Sequence, residues 1–91
     1  MKDAEIRILI VDDHPIFRHG LRQVIEADAG LLIICEAGDG AAALKLIETE
    51  KPQVAVVDIS MPTTGGLELA RMVREKDLPV KLIFLTMYKD V

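Results

Sequence analysis

Tryptophan is absent from this chain, and aromatic residues make up only 3% of it. Nucleic-acid bases therefore find no stacking platform here. Basic residues are outnumbered: 11 Lys and Arg face 15 Asp and Glu, for a formal net charge of −4. A surface of that sign repels phosphate backbones, which argues against direct nucleic-acid binding by this segment. A single cysteine, Cys35, has no partner for an internal disulfide and fits a reducing compartment. Long hydrophobic runs are missing too. The longest is Leu31–Cys35, far too short to span a bilayer. The opening Met1-Lys2-Asp3-Ala4-Glu5 lacks the basic-then-apolar layout of a signal peptide, so a cytoplasmic protein is expected. With 91 residues, 51% of them hydrophobic, the chain has material for one core and one domain.

What is present is a repeating alternation. Ile6–Val11, Leu31–Ala37, Val54–Val57 and Lys81–Thr86 are short runs rich in Ile, Val and Leu, which read as strands. They scarcely alternate, as in Ile8-Leu9-Ile10-Val11, and strands apolar on both faces belong to parallel sheets covered on both sides. Helical signals lie between them. Pro15 suits a helical first turn, and Phe17, Leu21, Val24 and Ile25 follow at helical spacing until Gly30. Gly20 weakens this first helix by about 1 kcal/mol relative to Ala. Asp39 is the expected N-cap of a second helix carrying Ala43, Leu44 and Ile47, closed by Pro52. Gly65-Gly66 turns into a third, whose apolar side is Leu67, Ala70, Met72 and Val73. The order βαβαβαβ predicts a doubly wound α/β fold with a parallel sheet and right-handed crossovers.

Carboxylates stand where strands stop. Asp12-Asp13 follows the first strand and Asp58 follows the third. In an open α/β sheet, ligands bind beyond the carboxyl ends of the strands, where strand order reverses. In a 2-1-3-4 order that point lies between strands 1 and 3, so the three carboxylates converge. Converging anions repel unless a cation joins them. Oxygen-only ligands suit a hard divalent ion, and Mg²⁺ also leaves room for a phosphate oxygen. A carboxylate beside Mg²⁺ can attack a phosphoryl group and form an aspartyl-phosphate. Taken singly, Asp13 also reads as a cap of the first helix, and Asp58 as a loop residue. Taken together, with a hydroxyl at Thr86 ending the fourth strand, they read as a phosphate-and-metal site. His14 reads as a helix-start residue at the rim of that site, and Cys35 as a core residue.

These elements resemble the receiver domain of two-component response regulators. The resemblance rests on Ile8–Pro15, Val56-Val57-Asp58-Ile59-Ser60-Met61-Pro62, Gly65-Gly66-Leu67-Glu68 and Phe84-Leu85-Thr86. The run Asp12-Asp13-His14-Pro15-Ile16-Phe17-Arg18-His19-Gly20-Leu21 is similar to the NarL/FixJ (LuxR-type) transcriptional regulators, and Leu85-Thr86-Met87 fits them as well. The resemblance implies a flavodoxin-like, CheY-like fold. It implies that Asp58 accepts a phosphoryl group from a sensor histidine kinase. Asp13 would bind Mg²⁺ directly, Asp12 would assist through water, and the Ser60 backbone carbonyl would complete the protein ligands. Thr86 would hydrogen-bond the phosphoryl group and shift its loop inward. Met61-Pro62 would shape the loop after the acceptor. Such a module is regulatory rather than a turnover enzyme, and in the intact protein it would govern a DNA-binding output domain.

Receiver domains of this kind have five strands and five helices, so residues 1–91 are expected to be a partial receiver domain without strand 5, helices 4 and 5 or an output domain. The family's strand 5 lysine is expected to have no counterpart within residues 1–91, and Lys89 is not assigned that role. An edge at strand 4 and a thinly covered sheet face are expected to favour self-association. Two other classes compete. A phosphorylation-independent dimerisation module is one. A small aspartate-nucleophile phosphatase is the other, and it needs a carboxylate two positions after the nucleophile, where this chain has Ser60.

Overall fold

A computed structural model describes residues 5–59, 61 and 65–85 of the chain. β1 (Ile6–Val11), α1 (Pro15–Glu26), β2 (Leu31–Ala37), α2 (Gly40–Glu50), β3 (Val54–Asp58), α3 (Gly66–Glu75) and β4 (Lys81–Leu85) follow one another in the expected alternation. The strands pair in parallel in the order β2-β1-β3-β4. β3 runs one residue further than the sequence suggests. Asp58 is its last residue, paired with Leu85 of β4. Thr86, placed by the sequence at the end of strand 4, lies outside the described residues.

β1 and β3, apolar on both faces, have both faces covered, as their composition requires. On one face Leu9, Val11, Ala55 and Val57 meet Ala43 and Ile47 of α2 and Leu69 and Val73 of α3. On the other, Ile8, Ile10, Ile33 and Val56 meet Leu21 and Ile25 of α1. Among the described residues α1 is the one helix on that second face.

β2 contains an irregularity that the sequence does not announce. Ile8 pairs with Ile33 but Leu9 pairs with Cys35, so Ile34 is an extra residue in the ladder. Side chains alternate with a period of two, so one inserted residue reverses every face beyond it. Ile33 accordingly serves the α1 face while Cys35 and Ala37 serve the α2–α3 face. Glu36, one step from each of these last two, is thereby delivered to α1.

The helices begin and end for local reasons. α1 opens on Pro15 with His14 as an extended N-cap. Neither Asp12 nor Asp13 is that cap, which corrects the capping reading of Asp13. The Asp39 side chain accepts from the Ala42 N–H at 2.8 Å and starts α2, as expected. α2 ends where Lys51 turns left-handed, with φ 52°, ahead of Pro52. Arg7 of β1 donates to the Glu50 and Lys51 carbonyls at 2.5 and 2.7 Å and ties that end to the sheet.

Two helix faces differ from their expected positions. Val24 is 72% exposed and Leu67 is 67% exposed, so neither faces the core. The sheet-facing line of α1 passes through Leu21 and Ile25. That of α3 runs through Gly66, Leu69 and Val73, with Leu69 completely buried. The glycine pair at the start of α3 also acts differently from expectation. Gly65 is extended, and no described glycine has positive φ. What Gly66 supplies is close approach: a Cβ there would lie 3.1 Å from both Phe84 and Val57.

Candidate functional site

The parallel order places the carboxyl ends of β1 and β3 side by side, because β1 pairs with β3 as far as Val11 opposite Val57. Asp12 follows the one strand and Asp58 ends the other. Asp12, Asp13, His14 and Asp58 each present a ligand atom, and these atoms all lie within 4.8 Å of one another. Asp12 and Asp58 are both 1% exposed. Asp13 is half-buried, and His14 lies at the rim.

Asp12 is held on every side but one. Its N–H donates to the Ala37 carbonyl of β2 at 3.0 Å. Its own carbonyl accepts from Nη1 of Arg18 at 2.7 Å. Its Oδ1 accepts from the His14 N–H at 2.7 Å, closing the turn into α1. The remaining oxygen, Oδ2, is buried and has no hydrogen-bond donor among the described residues. His14 Nδ1 approaches Oδ1 of Asp13 at 3.0 Å and Oδ1 of Asp12 at 3.6 Å.

A carboxylate oxygen buried without a donor costs free energy, and so do neighbouring negative charges at low dielectric. A divalent cation removes both costs, and carboxylate oxygens are the donors that Mg²⁺ accepts. The donor chemistry therefore fits the ion that the sequence suggests. Asp12, Asp13 and Asp58 are brought together as expected. Ser60 and Thr86 lie outside the described residues.

Residues 8–91 match the family described as the response regulator receiver domain. The chain belongs to that family. It is 35% identical over 86 residues to the NarL transcriptional regulatory protein of Mycobacterium tuberculosis, which covers 94% of this chain and 40% of the relative. It is 38% identical over 85 residues to the response regulator UvrY of Escherichia coli, covering 93% and 39%. The receiver domain of the M. tuberculosis NarL superposes with a TM-score of 0.87 at 35% identity, covering 94% of this chain and 69% of that one. The chain thus spans about 40% of the length of these curated relatives. It is a receiver domain of the kind found in LuxR-type response regulators, with the four-strand 2-1-3-4 sheet expected of it. Receiver domains are regulatory modules.

A groove among the described residues lies elsewhere. It encloses about 640 Å³ at the opposite, amino-terminal ends of β3 and β4, between Ile47, Pro52, Leu78 and Val80. None of the four clustered residues lines it. No helix among the described residues is long and apolar enough to cross a membrane.

Sequence reading passed over one pair near the site. Glu36 is a charged residue in an otherwise apolar strand, and Arg18 lies in the motif that carries the family resemblance. Nη1 of Arg18 reaches Asp12 while its Nε pairs with Glu36 at 3.1 Å. The lone charge within Leu31–Ala37 was the available signal.

Proposed function

We propose that this receiver domain is a phosphoacceptor in two-component signalling, with Asp58 as the residue modified. The observation that carries this reading is the gathering of Asp12, Asp13 and Asp58 at the carboxyl ends of β1 and β3. Asp12 and Asp13 would hold Mg²⁺ together with Asp58, and the Ser60 carbonyl is assigned to the same set through the family resemblance. When bound there, Mg²⁺ would neutralise the carboxylates and offset charge on the phosphoryl oxygens. An Asp58 carboxylate oxygen attacks phosphorus, and the bond from phosphorus to the donor breaks. The donor is a phosphohistidine on a sensor kinase, whose imidazole leaves. Through the family resemblance, Thr86 is assigned the hydroxyl that would donate a hydrogen bond to the new dianion.

The names of the relatives, a transcriptional regulatory protein and response regulators, support a regulator whose receiver controls a transcriptional output. On this reading the domain assists its own phosphorylation and hydrolysis without being a turnover enzyme. Incubation with acetyl phosphate and Mg²⁺, followed by intact-mass measurement, tests it. A single phosphoryl adduct is expected on the wild-type chain and none on Asp58→Ala. No wild-type adduct in a version extended through a strand 5 lysine would refute the acceptor role, and an adduct surviving Asp58→Ala would move it to another residue.

A second reading has its own observation. β4 is an edge strand among the described residues, with Ile83 50% and Phe84 37% exposed. An unpaired apolar edge invites another strand, which supports an interaction module working through association. Beryllofluoride separates the two: a change in association state or spectra favours phosphorylation control, and no change favours the interaction module.

A further inference from the structure

We infer that Arg18 is a positioning residue for the acidic cluster, holding the Asp12 peptide in place from α1. The inference rests on the Mg²⁺-dependent reading and deepens it. The geometry is a strap that runs from Glu36 through Arg18 to Asp12. Nη1 of Arg18 donates to the Asp12 carbonyl at 2.7 Å. Its Nε pairs with Oε1 of Glu36 at 3.1 Å. The second oxygen of Glu36, Oε2, is occupied by Nε of Arg22 at 2.7 Å. Arg18 and Glu36 are 23% and 27% exposed, so this pairing is partly shielded from water. Glu36 meets α1 because of the extra residue at Ile34 in β2, which reverses the faces beyond it.

The two arginines are four residues apart on one helix and share one carboxylate, but only Arg18 touches Asp12. A planar guanidinium can hold a carbonyl and a carboxylate at once in fixed geometry, whereas an ammonium is a single point charge. The peptide that Arg18 grips carries the Asp12 side chain and leads directly to Asp13. With the Asp12 N–H already bound to Ala37, the strap clamps that residue's backbone at both ends. Groups that orient metal ligands from behind are worth roughly 10–100-fold in metal affinity.

The test compares Arg18→Met with Arg22→Gln in the full chain. Mg²⁺ affinity is measured by calorimetry, and exchange of the His14 amide is measured without metal. Arg18→Met is expected to bind Mg²⁺ about tenfold more weakly and to exchange the His14 amide faster. Arg22→Gln is expected to lose thermal stability through the same glutamate while leaving both readouts unchanged. Arg18→Lys is expected to fall between Arg18→Met and wild type, and it carries the test by the same criteria if Arg18→Met does not melt cooperatively. Wild-type affinity and exchange in the Arg18 variants would overturn the inference. So would an Arg22→Gln that matches them, since seating of α1 would then be the cause. Absence of Mg²⁺ heat in the wild-type chain would sink the phosphoacceptor reading instead, and amide exchange alone would decide whether Arg18 holds the peptide.

Discussion

Asp12 concentrates the conflict on which this receiver runs. One of its oxygens closes the turn into α1, and the other is buried without a donor among the described residues. Asp12→Asn keeps an Oδ1 acceptor for His14 while removing one negative charge from the cluster. Two unit charges 4 Å apart interact by about 4 kcal/mol at an effective dielectric near 20. Relief of a fraction of that is expected to raise metal-free stability by on the order of 1 kcal/mol. The same substitution should abolish the Mg²⁺-dependent stabilisation, which for wild type amounts to about 2.7 kcal/mol at a hundredfold excess over Kd. Thermal melts with and without Mg²⁺ check both signs; a variant less stable than wild type without metal would contradict the charge argument. Cys35 offers a second residue-scale test. Burial pushes its thiol pKa up, the charge of Glu50 pushes the same way, and Arg7 opposes them. A raised folded pKa means that the neutral thiol favours the native state. That contribution is complete below the ordinary thiol range and is lost as pH rises through the folded value. Reaction with a thiol reagent at mildly alkaline pH should therefore be slower in the folded chain than in urea-unfolded chain. Equal rates would show that burial exerts no such pull.

At the scale of elements, two glycines in helices make opposite demands. Gly20 sits inside α1, where a Cβ would meet nothing within 4 Å apart from its chain neighbours and the helix's own backbone. Gly20→Ala should stabilise the chain by roughly 1 kcal/mol, because the helix loses a flexible residue and nothing is displaced. Gly66 opens α3 where a Cβ would lie 3.1 Å from Val57 and Phe84. Gly66→Ala should destabilise by about 1 kcal/mol, the low end for overpacking. Phe84 is partly exposed and can yield, whereas Val57 is fully buried. Urea denaturation of both variants reads the two signs, and a common sign would mean that helix propensity alone governs these sites. The extra residue at Ile34 belongs to this scale as well. It lets one strand serve two faces with Ile33 and Cys35, and it turns Glu36 toward the arginines of α1.

The molecule as a whole leaves its apolar surface unevenly covered. α2 and α3 share one sheet face, while α1 covers the other alone among the described residues. Ile83 and Phe84 stand exposed on the β4 edge, and Ile16 and Val24 on α1 are 88% and 72% exposed. Exposed apolar area beside a strand edge that is unpaired among the described residues is expected to drive concentration-dependent association of this 91-residue chain. Size-exclusion chromatography with light scattering should show the mass rising with loading, and Ile83→Lys should shift it toward the monomer. A strictly monomeric, cooperatively folding species at every concentration would contradict the expectation.

Local chemistry and periodicity were enough to read most of this from sequence. Strand shortness and β-branched content announced the four strands, Pro15 and Asp39 announced two helix starts, and Asp12, Asp13 and Asp58 announced the site through their places at strand ends. Those signals lie within a few residues of the features they predict. The rest depended on contacts between distant segments. Which side of α1 or α3 meets the sheet left Val24 and Leu67 outside and Leu69 inside. The role of Gly66 follows from Phe84 approaching it, not from its own backbone. The reversal of faces at Ile34 exists only in the pairing of β2 with β1. Residue type and spacing determined the alternation and the carboxylate trio by themselves. Packing alone decided helix rotation, strand register and the reach of Arg18 to Asp12, because each depends on atoms that the chain brings together only when it folds.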